Sequence, residues 1–144
     1  MIYSLCYISI KRTDLLNSEI HSIVEHSKKW NRDNNITGIL IEYKNHFIQH
    51  IEGDAVVIYE LFEKIKLDSR HENVHLLQYS PLENRLFDNW NMAHRNLDID
   101  IDRDQQFLKC SNLLDDVIEN KSLWEGIKTI ELMSNLISKS KNID

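Results

Sequence analysis

The stretch Ile36-Thr37-Gly38-Ile39-Leu40-Ile41-Glu42-Tyr43-Lys44-Asn45-His46-Phe47-Ile48-Gln49-His50-Ile51-Glu52-Gly53-Asp54 decides the fold. Ile36 to Tyr43 and Phe47 to Ile51 read as two strands, and the polar Lys44-Asn45-His46 between them as a hairpin turn. Gly53-Asp54 then opens a helix running to about Leu67, with Asp54 placed to cap it. Val57, Ile58, Leu61, Phe62 and Ile65 form its apolar stripe. Toward the N-terminus, Ile2 to Ile10 is apolar on both alternating faces, as in a strand buried on both sides. A helix from about Ser18 to Asn31 separates it from the hairpin, with Ile20, Ile23, Val24 and Trp30 on one face. Toward the C-terminus, Val74 to Tyr79 reads as a fourth strand. Pro81 to Asn89 reads as an irregular connection, and Trp90 to Asn96 as a fifth strand. The order β-α-β-β-α-β-β makes a ferredoxin-like sheet of the α+β class, with both helices on one face.

The other face needs a cover, and the tail supplies it. Gln105 to Glu119 and Ser122 to Ser138 read as amphipathic helices, with Asp104 and Ser122 as candidate caps. Their apolar positions are Phe107, Leu113, Leu114, Val117, Leu123, Ile127, Ile130 and Ile137. These serve either as core against the sheet or as a groove for a partner. The run Asp98-Ile99-Asp100-Ile101-Asp102-Arg103-Asp104 reads as a solvated linker. It divides a main domain, 1–97, from an extension, 98–144.

The chain has 144 residues, enough for one domain with its own core. Seventeen basic against 23 acidic side chains give a net charge of −6. That excludes the basic footprint of a direct nucleic-acid binder. No apolar run is long enough to span a membrane, and Met1 to Leu5 lacks the basic start of a signal peptide. Cys6 and Cys110 fit no zinc spacing and no disulfide framework, which points to a reducing cytoplasm. The histidine spacings fit no metal motif, so no metal is expected.

Three polar side chains stand out. Tyr7 lies mid-strand on the face of Tyr3 and Leu5. Gln49 lies mid-strand on the face of Phe47 and Ile51. A buried amide there must be satisfied, because an unsatisfied one costs about 1–3 kcal/mol. Asn31 closes the first helix. Each has a plain structural reading: a rim tyrosine, a solvent-facing glutamine in the opposite register, a helix C-cap. His50 is read as facing solvent.

Five segments change the balance: Leu5-Cys6-Tyr7-Ile8-Ser9; Asn31 with Ile36-Thr37-Gly38-Ile39-Leu40; Phe47-Ile48-Gln49-His50-Ile51-Glu52-Gly53; Asp68-Ser69-Arg70-His71-Glu72-Asn73-Val74; and Phe87-Asp88-Asn89-Trp90-Asn91-Met92. In this order and spacing, over residues 2 to 96, they resemble the BLUF family of blue-light sensors that use flavin. The resemblance implies a ferredoxin-like fold and a non-covalent flavin, usually FAD, with FMN or riboflavin as alternatives. Tyr7 matches the photoactive tyrosine and Gln49 the switching glutamine. Asn31 matches the asparagine that bonds the flavin ring, and Ile23 and Ile65 the aliphatic pair that sandwiches it. Ser27, Asp68, Arg70 and His71 fall where the family contacts the ribityl chain and phosphates. Trp90 and Met92 match the responding pair on the fifth strand. The implied cycle is electron and proton transfer from Tyr7 on illumination, recombination, and a rearranged Gln49. The flavin ends oxidised and red-shifted, and no substrate is consumed.

The pattern departs from the family at three places. Trp30 stands before Asn31, where it either shields the ring edge or competes as an electron donor. Asp33 stands where many relatives carry Arg, leaving Arg32, Lys28 or Lys29 to compensate. His50 replaces an apolar residue. The expected output passes through the tail helices, to a downstream protein partner or within a homo-oligomer, dimer or larger. The competing readings are an acylphosphatase-like enzyme on the same scaffold and a flavin-free module that binds proteins.

Overall fold

The structure is a computed structural model and describes residues 1–120 and 123–139. Its strands are β1 (Ile2–Lys11), β2 (Thr37–Tyr43), β3 (His46–Asp54), β4 (His71–Pro81) and β5 (Ala93–Asn96). Its helices are α1 (Asn17–Asp33), α2 (Ala55–Lys66), α3 (Leu97–Arg103), α4 (Leu108–Asn120) and α5 (Leu123–Lys139), with a 3₁₀ turn at Gln105–Phe107. The sheet order is β4-β1-β3-β2-β5. All neighbours are antiparallel except β2 and β5, which run parallel. This is the expected α+β arrangement, and α3 to α5 cover the face opposite α1 and α2.

The central hairpin forms for local reasons. Tyr43 pairs with His46, and Lys44 and Asn45 between them have φ of 44° and 63°. Two successive positive φ values make the I′ turn whose twist matches the flanking strands. At Gly38 the strands approach so closely that a Cβ would lie 2.1 Å from the His50 carbonyl oxygen. Asp54 caps α2 as expected, accepting from the N–H groups of Val56 and Val57 at 3.1 and 3.2 Å. At α1 the cap is reversed: the Glu19 carboxylate accepts from the Leu16 N–H at 3.0 Å.

Strand pleating splits the core into two layers. Leu5, Tyr7, Leu40, Phe47 and Ile51 face α1 and α2, meeting Ile20, Val24, Ile58 and Phe62. Cys6, Ile8, Ile39, Ile41 and Ile48 face the tail, meeting Leu114, Val117, Ile130, Met133 and Ile137. Leu114, Val117 and Met133 have no exposed surface. Each such side chain stabilises by about 1.5–3 kcal/mol on burial. The tail stripe is therefore core. Phe107 is buried in it, and Leu113 and Ile127 are half-buried. Ser122 and the side chain of Leu123 lie outside the described residues. The hairpin tip is tied to the tail as well: Tyr43 Oη and Lys44 Nζ both donate to Asp115 Oδ1 at 2.8 Å.

Three local expectations are corrected. The acidic run 98–104 is mostly helix, because Asn96 Oδ1 caps it through the Ile99 N–H and buried Leu97 anchors it. Trp90 and Met92 precede β5, which begins at Ala93. The Trp90 N–H turns back to the Phe87 carbonyl at 3.1 Å instead of joining a ladder. His50 is buried, 2% exposed, because its ring packs on Phe87, 5.6 Å between ring centres, and its Nε2 bonds the Glu52 carboxylate.

Candidate functional site

Helix α1 fills its groove with Ile20 and Val24, then turns polar at Ser27 and Asn31. The apolar packing between α1 and α2 therefore stops partway, and a cavity of about 290 Å³ remains above the sheet. From α1 it is lined by Ile23, His26, Ser27, Trp30 and Asn31. From α2 and the turn after it come Leu61, Lys64, Ile65, Asp68, Arg70 and His71. Tyr7, Leu40, Phe47 and Gln49 form the floor. The helical contributions repeat at three- and four-residue intervals, one stripe from each helix.

The floor carries the reactive pair. Tyr7 and Gln49 are cross-strand partners on β1 and β3. The Tyr7 hydroxyl donates to Gln49 Oε1 at 2.5 Å, and both residues are buried. Burial pushes the Tyr7 phenol well above its usual range, and the charges of Cys6 and Asp68 add to this. The phenol stays protonated and acts as the donor. The amino end of Gln49 faces the Met92 thioether, with Nε2 to Sδ at 3.8 Å. Sulfur accepts weakly, so this amide holds donor capacity in reserve.

Asn31 is 1% exposed. Its Nδ2 donates to the Asn91 carbonyl at 2.8 Å, leaving Oδ1 and a second N–H for a ligand. His71 Nε2 lies 2.7 Å from the Ile65 carbonyl oxygen, which only accepts. Nε2 therefore carries a proton, and Nδ1 pairs with the Ser9 hydroxyl at 2.7 Å. Both nitrogens are committed, so His71 serves the cavity as a wall. Its ring meets Tyr7 edge-on at 6.0 Å. Arg70 is clamped to Asp68 through Nε and Nη2. That clamp, above all its side-chain hydrogen bonds, holds the Asp68 carboxyl below the ordinary range. Lys64 reaches across the mouth, its Nζ 5.7 Å from the centre of the Trp30 ring.

Nine of the residues picked from the sequence therefore meet around one cavity: Tyr7, Ile23, Ser27, Asn31, Gln49, Ile65, Asp68, Arg70 and His71. Arg32 does not. It follows Asn31 by one position, about 100° around the helix, and is exposed. Lys28 and Lys29 are also absent from the lining. Besides Arg70, which is clamped to Asp68, the lining holds a second cation, Lys64, which the sequence reading passed over. His26, Leu40, Phe47 and Leu61 were also missed as lining residues, although each shares a stripe or strand face with one that was found. Trp90 packs half-buried against the tail-side core, away from the cavity. Met92 alone of that pair reaches Gln49.

The aliphatic side chains of Ile23 and Ile65, with one amide at the floor, Gln49, and one on α1, Asn31, suit a planar heterocycle bearing hydrogen-bonding edges. The residues present fit a flavin ring. No helix among the described residues is long and apolar enough to cross a membrane.

Comparison with known proteins agrees. Residues 2–93 match the family described as sensors of blue-light using FAD. Photoactivated adenylate cyclase subunit alpha of Euglena gracilis is 29% identical over 86 residues, 60% of this chain and 8% of that protein. Subunit beta of the same organism is 27% identical over 84 residues, 58% of this chain and 10% of that protein. The chain thus spans about a tenth of the length of these curated relatives. Among solved structures, BlsA in its photo-activated state superposes with a TM-score of 0.77 at 25% identity, covering 100% of this chain and 99% of that one. BlrB, a BLUF protein in its dark state, gives 0.74 at 28% identity, covering 92% and 96%. With the cavity and its tyrosine–glutamine floor in place, the chain belongs to the BLUF family of flavin-binding blue-light sensor domains.

Proposed function

We propose that residues 1–97 bind FAD non-covalently in the α1–α2 cavity and that light is registered at Tyr7 and Gln49. The output then leaves through residues 98–144. One observation carries this reading: the buried hydrogen bond from Tyr7 Oη to Gln49 Oε1 on the cavity floor. A bound flavin supplies absorption of blue light and, once excited, an electron acceptor. The protein supplies the rest. Tyr7 keeps a proton on Oη aimed at Gln49. Gln49 can exchange the roles of its two ends by rotation or tautomerism, because its only strong protein partner among the described residues is that phenol. Asn31 offers a donor and an acceptor to the ring edge. Ile23 and Ile65 flank the ring, and Ser27, Asp68, Arg70 and His71 line its path toward Lys64. In place of Arg32, Lys64 is the cation suited to an anionic flavin tail. No substrate is turned over by the chain itself. A protein partner or a second copy of the chain receives the signal, in the cytoplasm.

The test is optical. The purified protein is expected to be yellow, to shift red under blue light and to recover in darkness. Mass analysis of the released flavin distinguishes FAD from FMN and riboflavin. Tyr7→Phe keeps the ring's shape and removes its proton. It is expected to bind flavin and lose the whole reversible shift. A normal shift in Tyr7→Phe overturns the assignment.

A further inference from the structure

Glu52 lies three residues beyond Gln49 on β3, so it faces the tail side of the sheet, and it is fully buried. Its carboxylate accepts from the backbone N–H of Leu86 at 2.9 Å and of Phe87 at 3.0 Å. It also accepts from Thr37 Oγ1 at 3.2 Å and from His50 Nε2 at 2.9 Å. Arg85 closes the same knot, donating through Nη1 to Thr37 Oγ1 and the Glu52 carbonyl, and through Nη2 to the Asn35 carbonyl. The root of the connection between β4 and β5 is therefore fixed to the sheet.

Two things leave that root. Along the chain, Trp90 N–H bonds to Phe87 O and Trp90 O receives the Gly38 N–H, and the connection ends at Met92 against Gln49. Across space, the Leu86 carbonyl accepts from Ser134 Oγ of α5 at 2.8 Å. A single peptide unit, Leu86–Phe87, thus bonds Glu52 through the Phe87 N–H and α5 through the Leu86 carbonyl. Only an acceptor-only group with two oxygens can receive all four donors converging on position 52.

We propose that Glu52 is a positioning residue of the light response. By fixing the Leu86–Phe87 peptide, it makes the Gln49–Met92 contact and the Leu86–Ser134 contact two ends of one element. A change at Gln49 then biases α5 instead of dissipating in an irregular loop. This rests on the reading of Gln49 as the switch. It requires a two-state bias of the connection, which both ends must feel.

The test uses the full chain, with backbone hydrogen exchange of 82–92 and of α5 measured in darkness and in blue light. Flavin absorption is recorded on the same samples. Ser134→Ala is expected to keep the full red shift while the light–dark difference in α5 falls about fivefold or more. Glu52→Gln turns an amide toward the Leu86 and Phe87 donors. It is expected to show the same loss in α5, and exchange at 86 and 87 in darkness should rise roughly five- to tenfold. A wild-type light–dark difference in α5 in both variants overturns the proposal, as does a full red shift in the wild type with no α5 difference. If the wild type binds no flavin, the sensor reading fails separately. The latch is then judged on dark exchange, and unchanged exchange at 86 and 87 in Glu52→Gln overturns it. Should Glu52→Gln fail to fold, Thr37→Val and Ser134→Ala carry the same comparison.

Discussion

Tyr7 and Cys6 are neighbours in sequence, as are Gln49 and His50, yet each pair is divided between two different environments. One face of the sheet carries two helices and keeps a cavity of about 290 Å³. The other carries α3 to α5 and is packed shut. The strands serve both because alternate side chains point to opposite faces. The packed face carries the stability that lets the other remain unfilled. It also places the groups able to sense a change, Tyr7 and Gln49, one residue away from the groups that meet the tail.

Equal truncations on the two faces should break or confirm this contrast most strongly. Leu114→Ala on the packed face is expected to cost about 2–5 kcal/mol, because a fully buried side chain leaves a void. Ile65→Ala borders a cavity that already exists and is half-buried, so its expected cost is about 1 kcal/mol or less. Urea midpoints decide, and equal losses would erase the distinction.

Acid should come next in size. Burial alone would raise the Glu52 carboxyl, but the hydrogen bond and charge of His50 and the N–H groups of Leu86 and Phe87 hold it below its ordinary 4.5. A carboxyl depressed in the folded state gives stability that is complete above its unfolded value and lost as pH falls through its folded value. Glu52→Gln is expected to cost about 1–3 kcal/mol near neutrality and to flatten the loss of stability below pH 4.5. Denaturation curves with parallel acid limbs in variant and wild type would show that Glu52 does not titrate with folding.

Gln49→Leu sharpens the contrast from the cavity side. It removes a polar group from an apolar floor, so stability should stay within about 1 kcal/mol of wild type or rise. The optical response should vanish regardless. A large destabilisation would mean that the amide holds the sheet together.

The smallest effect concerns the thiols. Burial raises Cys6 to about 12 and Cys110 to about 11, the latter slightly offset by Lys109. Both lie in the packed layer. Alkylation near pH 8 should label neither in the native protein and both in denaturant. Rapid native labelling would show that the packed face opens.

Period-two and period-3.6 patterns were sufficient for β1 to β4, for α1 and α2, and for the covering role of the tail. Strand alternation put Tyr7 with Leu5 and Gln49 with Phe47 but left a solvent-facing Gln49 open, and the family resemblance decided between the two. What failed had separate causes, one distant in sequence and two local. His50 looked exposed because nothing local announces that the Phe87 ring, 37 residues on, packs against it. Trp90 has strand propensity, but its N–H is taken by Phe87 in a turn. The acidic run after Asn96 is largely exposed, as read, but it is helix and not linker, because Asn96 caps it and a single residue, Leu97, anchors it. At the cavity, the three- and four-residue spacing of 23, 26, 27, 30 and 31, and of 61, 64, 65 and 68, held more information than was read from it. Followed through, it would have replaced Arg32 with Lys64.

The parallel pairing of β5 with β2 has a consequence for assembly in time. β2 and β3 meet through a two-residue turn, whereas β5 can dock on β2 only after some fifty residues between Tyr43 and Ala93 are in place. Closure entropy grows with the intervening length, and parallel partners distant in sequence come together slowly. During synthesis from the N-terminus, the floor bearing Tyr7 and Gln49 and both flanking helices exist before Met92 arrives. The nascent chain therefore passes through a stage in which every residue lining the cavity has been made, while Gln49 still lacks its Met92 neighbour.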